Sequence, residues 1–201
     1  MRGPVRIIGG SLPLFLAFLC AAVLSGCAGV DKAGVFNTIG KTSDPSAAFM
    51  IEGVPHFPQE EFMCGPSSLA SVLNYYGAGV SMEEVAGEVY MAGLKGSLSI
   101  DLLIYAKGKG FNASYYSGGL PDLKKRVGEK TPPIIFVNLG FDVYPVGHYM
   151  VVTGFSDPDG VIIAHSGIEK DKIITYRELV NAWKKTDFST LLVTPAAPKR
   201  Q

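Results

Sequence analysis

The chain of 201 residues holds only three cysteines, three histidines and one tryptophan. Three cysteines cannot build the disulfide framework of a small secreted scaffold. The Cys and His residues also lack zinc-ligand spacing, so no metal is expected. Neither sign of charge is in excess, with 18 Lys and Arg against 18 Asp and Glu. A balanced chain lacks the basic footprint of a nucleic-acid binder. Gly108-Lys109-Gly110 is not followed by a helical pattern, so no phosphate-cradling loop is expected and no cofactor is implied. The chain carries no internal repeat and no low-complexity tract.

The N-terminus reads as a targeting segment. Met1 to Arg6 carries two arginines, and Ile7 to Leu24 is almost continuously apolar. Leu24-Ser25-Gly26-Cys27 follows, and a basic start, an apolar run and small residues before a cut site define an export signal. The tetrapeptide resembles the bacterial lipobox. That resemblance implies removal of residues 1–26 and acylation of Cys27, which becomes the first mature residue. Ala28 rather than Asp after it resembles the pattern for onward transport to the outer membrane in Gram-negative cells. Residues 27–50 mix Ala, Gly, Ser, Thr and Asp with little periodicity and are expected to be a flexible tether. Residues 51–201 are expected to form one domain, since about 175 residues suffice for a single core.

Hydrophobic periodicity places helices first. Leu69, Val72, Leu73 and Tyr76 fall at i, i+3, i+4 and i+7. Ser81-Met82-Glu83-Glu84 has the form of a capping box. Ser99 to Lys107 and Leu120 to Val127 read as further helices. Strands dominate afterwards, at Pro133 to Leu139, His148 to Phe155, Val161 to Ala164 and Ser189 to Thr194. Thr175-Tyr176-Arg177-Glu178 opens a late helix ending near Trp183. The fold class is therefore α+β, a helical half followed by an antiparallel sheet.

Cys64 is the one thiol left in the folded part. Gly65-Pro66 follows it, and Pro is favoured in a first helical turn. The unpaired N–H groups and positive dipole end at that place favour a thiolate. His148, at the mouth of an apolar strand, is the candidate general base and acid. Nucleophile and base of this kind are expected far apart in sequence. Gln59, five residues before Cys64, offers an amide N–H to a developing oxyanion.

Val54-Pro55-His56-Phe57-Pro58-Gln59, Cys64-Gly65-Pro66, Leu69-Ala70 to Tyr76-Gly77 and His148 to Phe155 together resemble the papain-like peptidases that cleave double-glycine leader peptides of bacteriocins. The similarity is greatest to a free-standing lipoprotein branch without a transporter domain. It implies a papain-like fold, a Cys64–His148 dyad or triad, an oxyanion hole at Gln59 and hydrolysis after a Gly-Gly pair. Two departures stand out. The family places its Gln six residues before the Cys. It also orients its His with an Asp on the following strand, where this chain reads Ala164-His165-Ser166-Gly167. His165 occupies roughly the Asp position, and an imidazole or a Ser hydroxyl there orients weakly. Asn138, on the preceding strand, is the other candidate for the third member. The partners implied are a peptide or protein substrate, the membrane through the lipid anchor, and an envelope or secretion-system protein. The expected place is the cell envelope, on the outer membrane facing the periplasm in a Gram-negative cell. The missing carboxylate also leaves open a catalytically weak peptide-binding module.

Overall fold

A computed structural model describes residues 30–59 and 62–196. The expected signal segment and Cys27 lie outside these residues. The described elements are α1 (Lys32–Lys41), β1 (Ala48–Met50), α2 (Cys64–Tyr75), α3 (Met82–Val89), α4 (Ser99–Gly108), β2 (Phe111–Ser117), α5 (Leu120–Gly128), β3 (Ile134–Asn138), β4 (Gly147–Ser156), β5 (Val161–Ser166), β6 (Glu169–Thr175), α6 (Tyr176–Trp183) and β7 (Ser189–Pro195).

One antiparallel sheet runs in the order β2-β7-β3-β4-β5-β6. β4 is its central strand. It pairs with β5 along one edge, while β3 covers the first half of its other edge and β1 the second half. β4 and β5 are buried almost throughout, which is why they read as continuous apolar runs rather than alternating ones. α2 packs against β4 and β3, and its residues Leu69, Val72 and Leu73 are fully buried. Trp183 of α6 is also fully buried and donates from Nε1 to the Ser189 carbonyl at 3.0 Å. That bond joins the last helix to the last strand.

The helix starts follow their caps. Ser81 Oγ accepts from the Glu84 N–H, and Thr175 forms a reciprocal box with Glu178. The α+β class stands, with two local differences. β2 interrupts the helical half, and its Phe111-Asn112-Ala113-Ser114-Tyr115-Tyr116-Ser117 pairs in full register with β7. β6 is rich in charge (Glu169, Lys170, Asp171, Lys172) because it is the outer strand of the sheet. Charged residues are a natural choice there, since they protect an exposed edge.

The expected tether at 27–50 needs correction. The compact unit begins at Lys32, not near Ile51. Val35, Phe36 and Ile39 of α1 pack with Val161, Ile163, Met50 and Ile173 in a second small core. Ala48, Phe49 and Met50 then pair with Ser156, Phe155 and Gly154. A short stripe diluted by Gly, Thr and Asn is too weak to register as periodicity, yet one buried Val and two supporting side chains suffice once β5 presents its outer face. Val35→Asp is expected to destabilise the protein by more than about 1 kcal/mol in urea unfolding, because it buries an unpaired charge. A tether residue would stay within about 0.5 kcal/mol.

Candidate active site

Cys64 is the first residue of α2 and is half-buried. Phe62, just before it, has φ +73°, a left-handed conformation uncommon for an aromatic residue. Such local strain turns the chain abruptly into the helix and is often found beside functional groups. Behind the thiol, a Cβ on Gly65 would lie 2.9 Å from the Ser97 Cβ and 3.5 Å from the Tyr149 ring. Glycine here lets the helix start approach β4 closely. The backbone of Tyr149 lies near enough to the Cys64 thiol to favour its anion, so the thiol faces the strand that carries His148.

Tyr149 is itself fastened. Its hydroxyl lies 2.7 Å from Ser99 Oγ and donates to the Ser97 carbonyl at 3.3 Å. Burial pushes this phenol up to about 12, so it stays protonated. Gly147, before His148, faces the Phe136 ring, which a Cβ would meet at 2.6 Å. Small residues thus flank both Cys64 and His148.

His148 Nε2 lies 2.9 Å from Ser166 Oγ at the end of β5. The orienting partner seen here is therefore Ser166, rather than His165 or Asn138. His165 Nε2 donates to the Val54 carbonyl at 3.0 Å, and its Nδ1 accepts the Asp171 N–H at 3.3 Å. Both ring nitrogens are spent, and the ring is the neutral Nε2–H tautomer. Its 3.5 Å approach to Asp171 Oδ1 is then a contact rather than a hydrogen bond, consistent with that oxygen having no partner. Asn138 Oδ1 accepts from the Gly140 and Val146 N–H groups, both at 2.9 Å, and so clamps the β3–β4 loop. In the β4–β5 pairing Val151 stands opposite His165. Because successive strand residues face opposite sides, that register puts Ser166, and not His165, on the face that carries His148. No local sequence signal marks it.

Gln59 lines a small polar cavity of about 10 Å³ together with His56, Ser67, Ser71, His165 and Ser166. That is room for about one water molecule. Gln59 Oε1 is buried and has no partner among the described residues. Gln59 is thus brought to the side of α2 that faces Ser166, one turn along from Cys64. His56 donates from Nε2 to the Gly167 carbonyl at 3.0 Å and lies 5.2 Å from the His165 ring. The two histidines hold the turn that carries Ser166.

Electrostatics run against the thiolate expected at the helix start. Burial pushes the Cys64 thiol above its ordinary value of 9.0, outweighing backbone hydrogen bonds from Tyr149 and Gly65 that lower it. Burial, and then the Lys172 charge, push His148 below 6.5. Both shifts favour the neutral thiol and the neutral imidazole. Among the described residues no cluster of three His, Cys, Asp or Glu side chains can hold a metal.

Two expectations follow. The rate of iodoacetamide alkylation of Cys64 should keep rising with pH through 9.0, and a plateau already reached below neutrality would show the ion pair instead. His148 and His165 both have folded-state values depressed by burial. The unfolded chain therefore binds more protons below about 6.5, so stability is full above that pH and falls as pH drops. Urea midpoints between pH 7.5 and 5 should show this decline, and His165→Gln should flatten it.

Comparisons with known proteins agree with this geometry. Residues 51–191 match the family model described as Peptidase_C39 like family. No curated protein matches the chain. A double glycine motif protease from an AMS/PCAT transporter, solved in complex with the leader peptide, is similar at 25% identity and TM-score 0.59, over 74% of this chain and 95% of that one. The peptidase domain of Streptococcus ComA, a bi-functional ABC transporter involved in a quorum-sensing pathway, is similar at 20% identity and TM-score 0.57, over 72% of this chain and 100% of that one. A C39-like peptidase from Bacillus anthracis has 17% identity and TM-score 0.61, over 75% of this chain and 98% of that one. The latter two support the shared fold. With the match spanning the helical half, the sheet and both Cys64 and His148, the chain belongs to the Peptidase_C39 like family, a family of cysteine peptidases.

Proposed function

We propose that this chain is a lipid-anchored peptidase of the cell envelope that hydrolyses peptide bonds through Cys64 and His148. The observation that carries the reading is the packing of the start of α2, which bears the thiol, against the start of β4, where His148 is held by Ser166. With its proton on Nε2 donated to Ser166, His148 keeps Nδ1 as the base. Nδ1 takes the thiol proton as sulfur attacks the peptide carbonyl, so a buried neutral pair is reactive without a standing thiolate. The imidazolium then protonates the leaving amine, a thioester remains on Cys64, and water hydrolyses it. Gln59 supplies an oxyanion donor with the backbone N–H of Cys64.

The solved double glycine motif protease supports a peptide substrate and makes a Gly-Gly site the first to test. Leu24-Ser25-Gly26-Cys27 supports acylation at Cys27 and, with Ala28, a place on the outer membrane facing the periplasm in a Gram-negative cell. An envelope or secretion-system protein is the partner class that fits there. A second reading, a peptide-binding module with little activity, draws on one observation: a hydroxyl stands where a carboxylate would raise the basicity of His148.

Peptides containing Gly-Gly should be cleaved by the native chain and not by Cys64→Ala or His148→Ala. Ser166→Ala removes one neutral hydrogen bond and should lower kcat about tenfold. Gln59→Ala should lower it by about a hundredfold. Ser166→Asp should raise the pKa of His148 and move the acidic limb of the rate profile upward. Binding of peptide without turnover, equal in native protein and Cys64→Ala, would establish the second reading instead.

A further inference from the structure

The end of the sheet that carries His148 and Ser166 is also its most apolar exposed surface. The β3–β4 loop presents Leu139, Phe141, Val143, Tyr144 and Val146 to solvent, with Phe141 79% and Val143 95% exposed. Across the sheet, the β5–β6 turn presents Ile168 at 75% exposure, two residues from Ser166. The loop is a built finger. Asn138 Oδ1 ties both its ends, Phe141 and Tyr144 exchange backbone hydrogen bonds at 3.1 Å, and Lys185 Nζ donates to the Gly140 carbonyl at 2.7 Å. An ordered finger with bare aromatic and aliphatic tips is matched by an apolar partner.

The chain enters the domain at this same end. Lys32, the first residue of α1, donates from Nζ to the Lys170 carbonyl at 3.2 Å, next to the β5–β6 turn. α1 then runs to the opposite end, where β1 begins opposite Ser156. Because α1 is packed rather than free, the span between Cys27 and the domain shrinks from the whole 27–50 stretch to the few residues before Lys32. Extended, five residues reach about 18 Å at most, against about 80 Å for a tether of twenty-four. The acylation site at Cys27 is thus joined by only a few residues to the sheet end that bears the apolar finger.

We infer that the Cys64–His148 face lies against the bilayer, with the β3–β4 finger and Ile168 seated in the headgroup region. The occupant is a lipid surface because the membrane-seeking part of the chain is tethered at that end and too short to place the domain elsewhere. Tyr144 and Phe141 suit the interface, where amphipathic and aromatic rings concentrate. Lys185, at the base of the finger, suits anionic headgroups. Asp142 at the tip keeps the loop at headgroup depth, since a carboxylate resists the hydrocarbon core. The peptidase would then act on segments emerging from, or lying on, the membrane rather than on freely diffusing chains. This inference rests on the anchoring half of the proposed function and not on catalysis.

The test uses the full acylated chain in phosphatidylethanolamine–phosphatidylglycerol vesicles, with and without brominated acyl chains. Val143→Trp places a reporter on the finger, and Pro158→Trp places one on the exposed turn at the opposite end; native Trp183 is fully buried and serves as a constant background. Both variants alter exposed residues outside the catalytic groups. Val143→Trp emission should shift to the blue on vesicles and be quenched about twofold by brominated lipid, with Pro158→Trp unaffected. Vesicle-bound protein in which the two reporters are quenched equally, or not at all, overturns the orientation while leaving the anchor intact. Protein that fails to float with vesicles overturns the anchor and the inference with it. A blue shift in detergent alone accompanied by dimerisation, or one produced by a Gly-Gly peptide and not by lipid, assigns the finger to a second copy or to substrate and also overturns it.

Discussion

The close approach of the first turn of α2 to the first residues of β4 is the contact on which the site depends. Gly65 permits it, and Ser97 and the Tyr149 ring define its limits. Everything else holds one side or the other in place. On the helix side, Leu69, Val72 and Leu73 anchor α2 in the core. On the sheet side, β4 is gripped along both edges, so its first residues cannot slide relative to the helix without breaking three strand pairings. The thiol on a helix and the imidazole on a strand are thereby held on rigid elements rather than on loops.

That rigidity has an electrostatic consequence. The packing that brings the helix start against β4 also removes water from the thiol and the imidazole. Burial acts on both in the direction of their neutral forms, and Lys172 adds to it at His148. Ser166, as a neutral partner, does not reverse this as a carboxylate would. Both groups are therefore biased toward their neutral forms at rest. The support behind Ser166 is likewise neutral. His165 uses both nitrogens on backbone groups, and His56 bonds the Gly167 carbonyl.

The position of α1 fixes where the chain enters the domain. Had residues 27–50 been free, whatever precedes them could reach any face. With α1 packed on the outer face of β5, the N-terminal entry point is fixed at the sheet end that bears His148. The bare finger between β3 and β4 stands at that end, and Asn138 gives it a single shape.

Local information in the sequence was enough for the elements that carry their own signals. The cap residues Ser81 and Thr175, the apolar runs of β3, β4 and β5, and the periodic face of α2 were legible because each depends on neighbours within one turn or one strand. Cys64 and His148 were legible because no other thiol or strand-mouth histidine competes. Tertiary structure decided the rest. β2 and β6 are strands because β7 and β5 offer them edges, and α1 folds because β5 offers Val35 a surface. That Ser166 stands by His148, rather than His165 or Asn138, turns on the β4–β5 register, which depends on the partner strand and leaves no local mark. Short-range chemistry is written in spacing and residue type. Register, facing and enclosure arise only when distant segments meet, so the identity of the orienting group and the direction the site faces belonged to the fold.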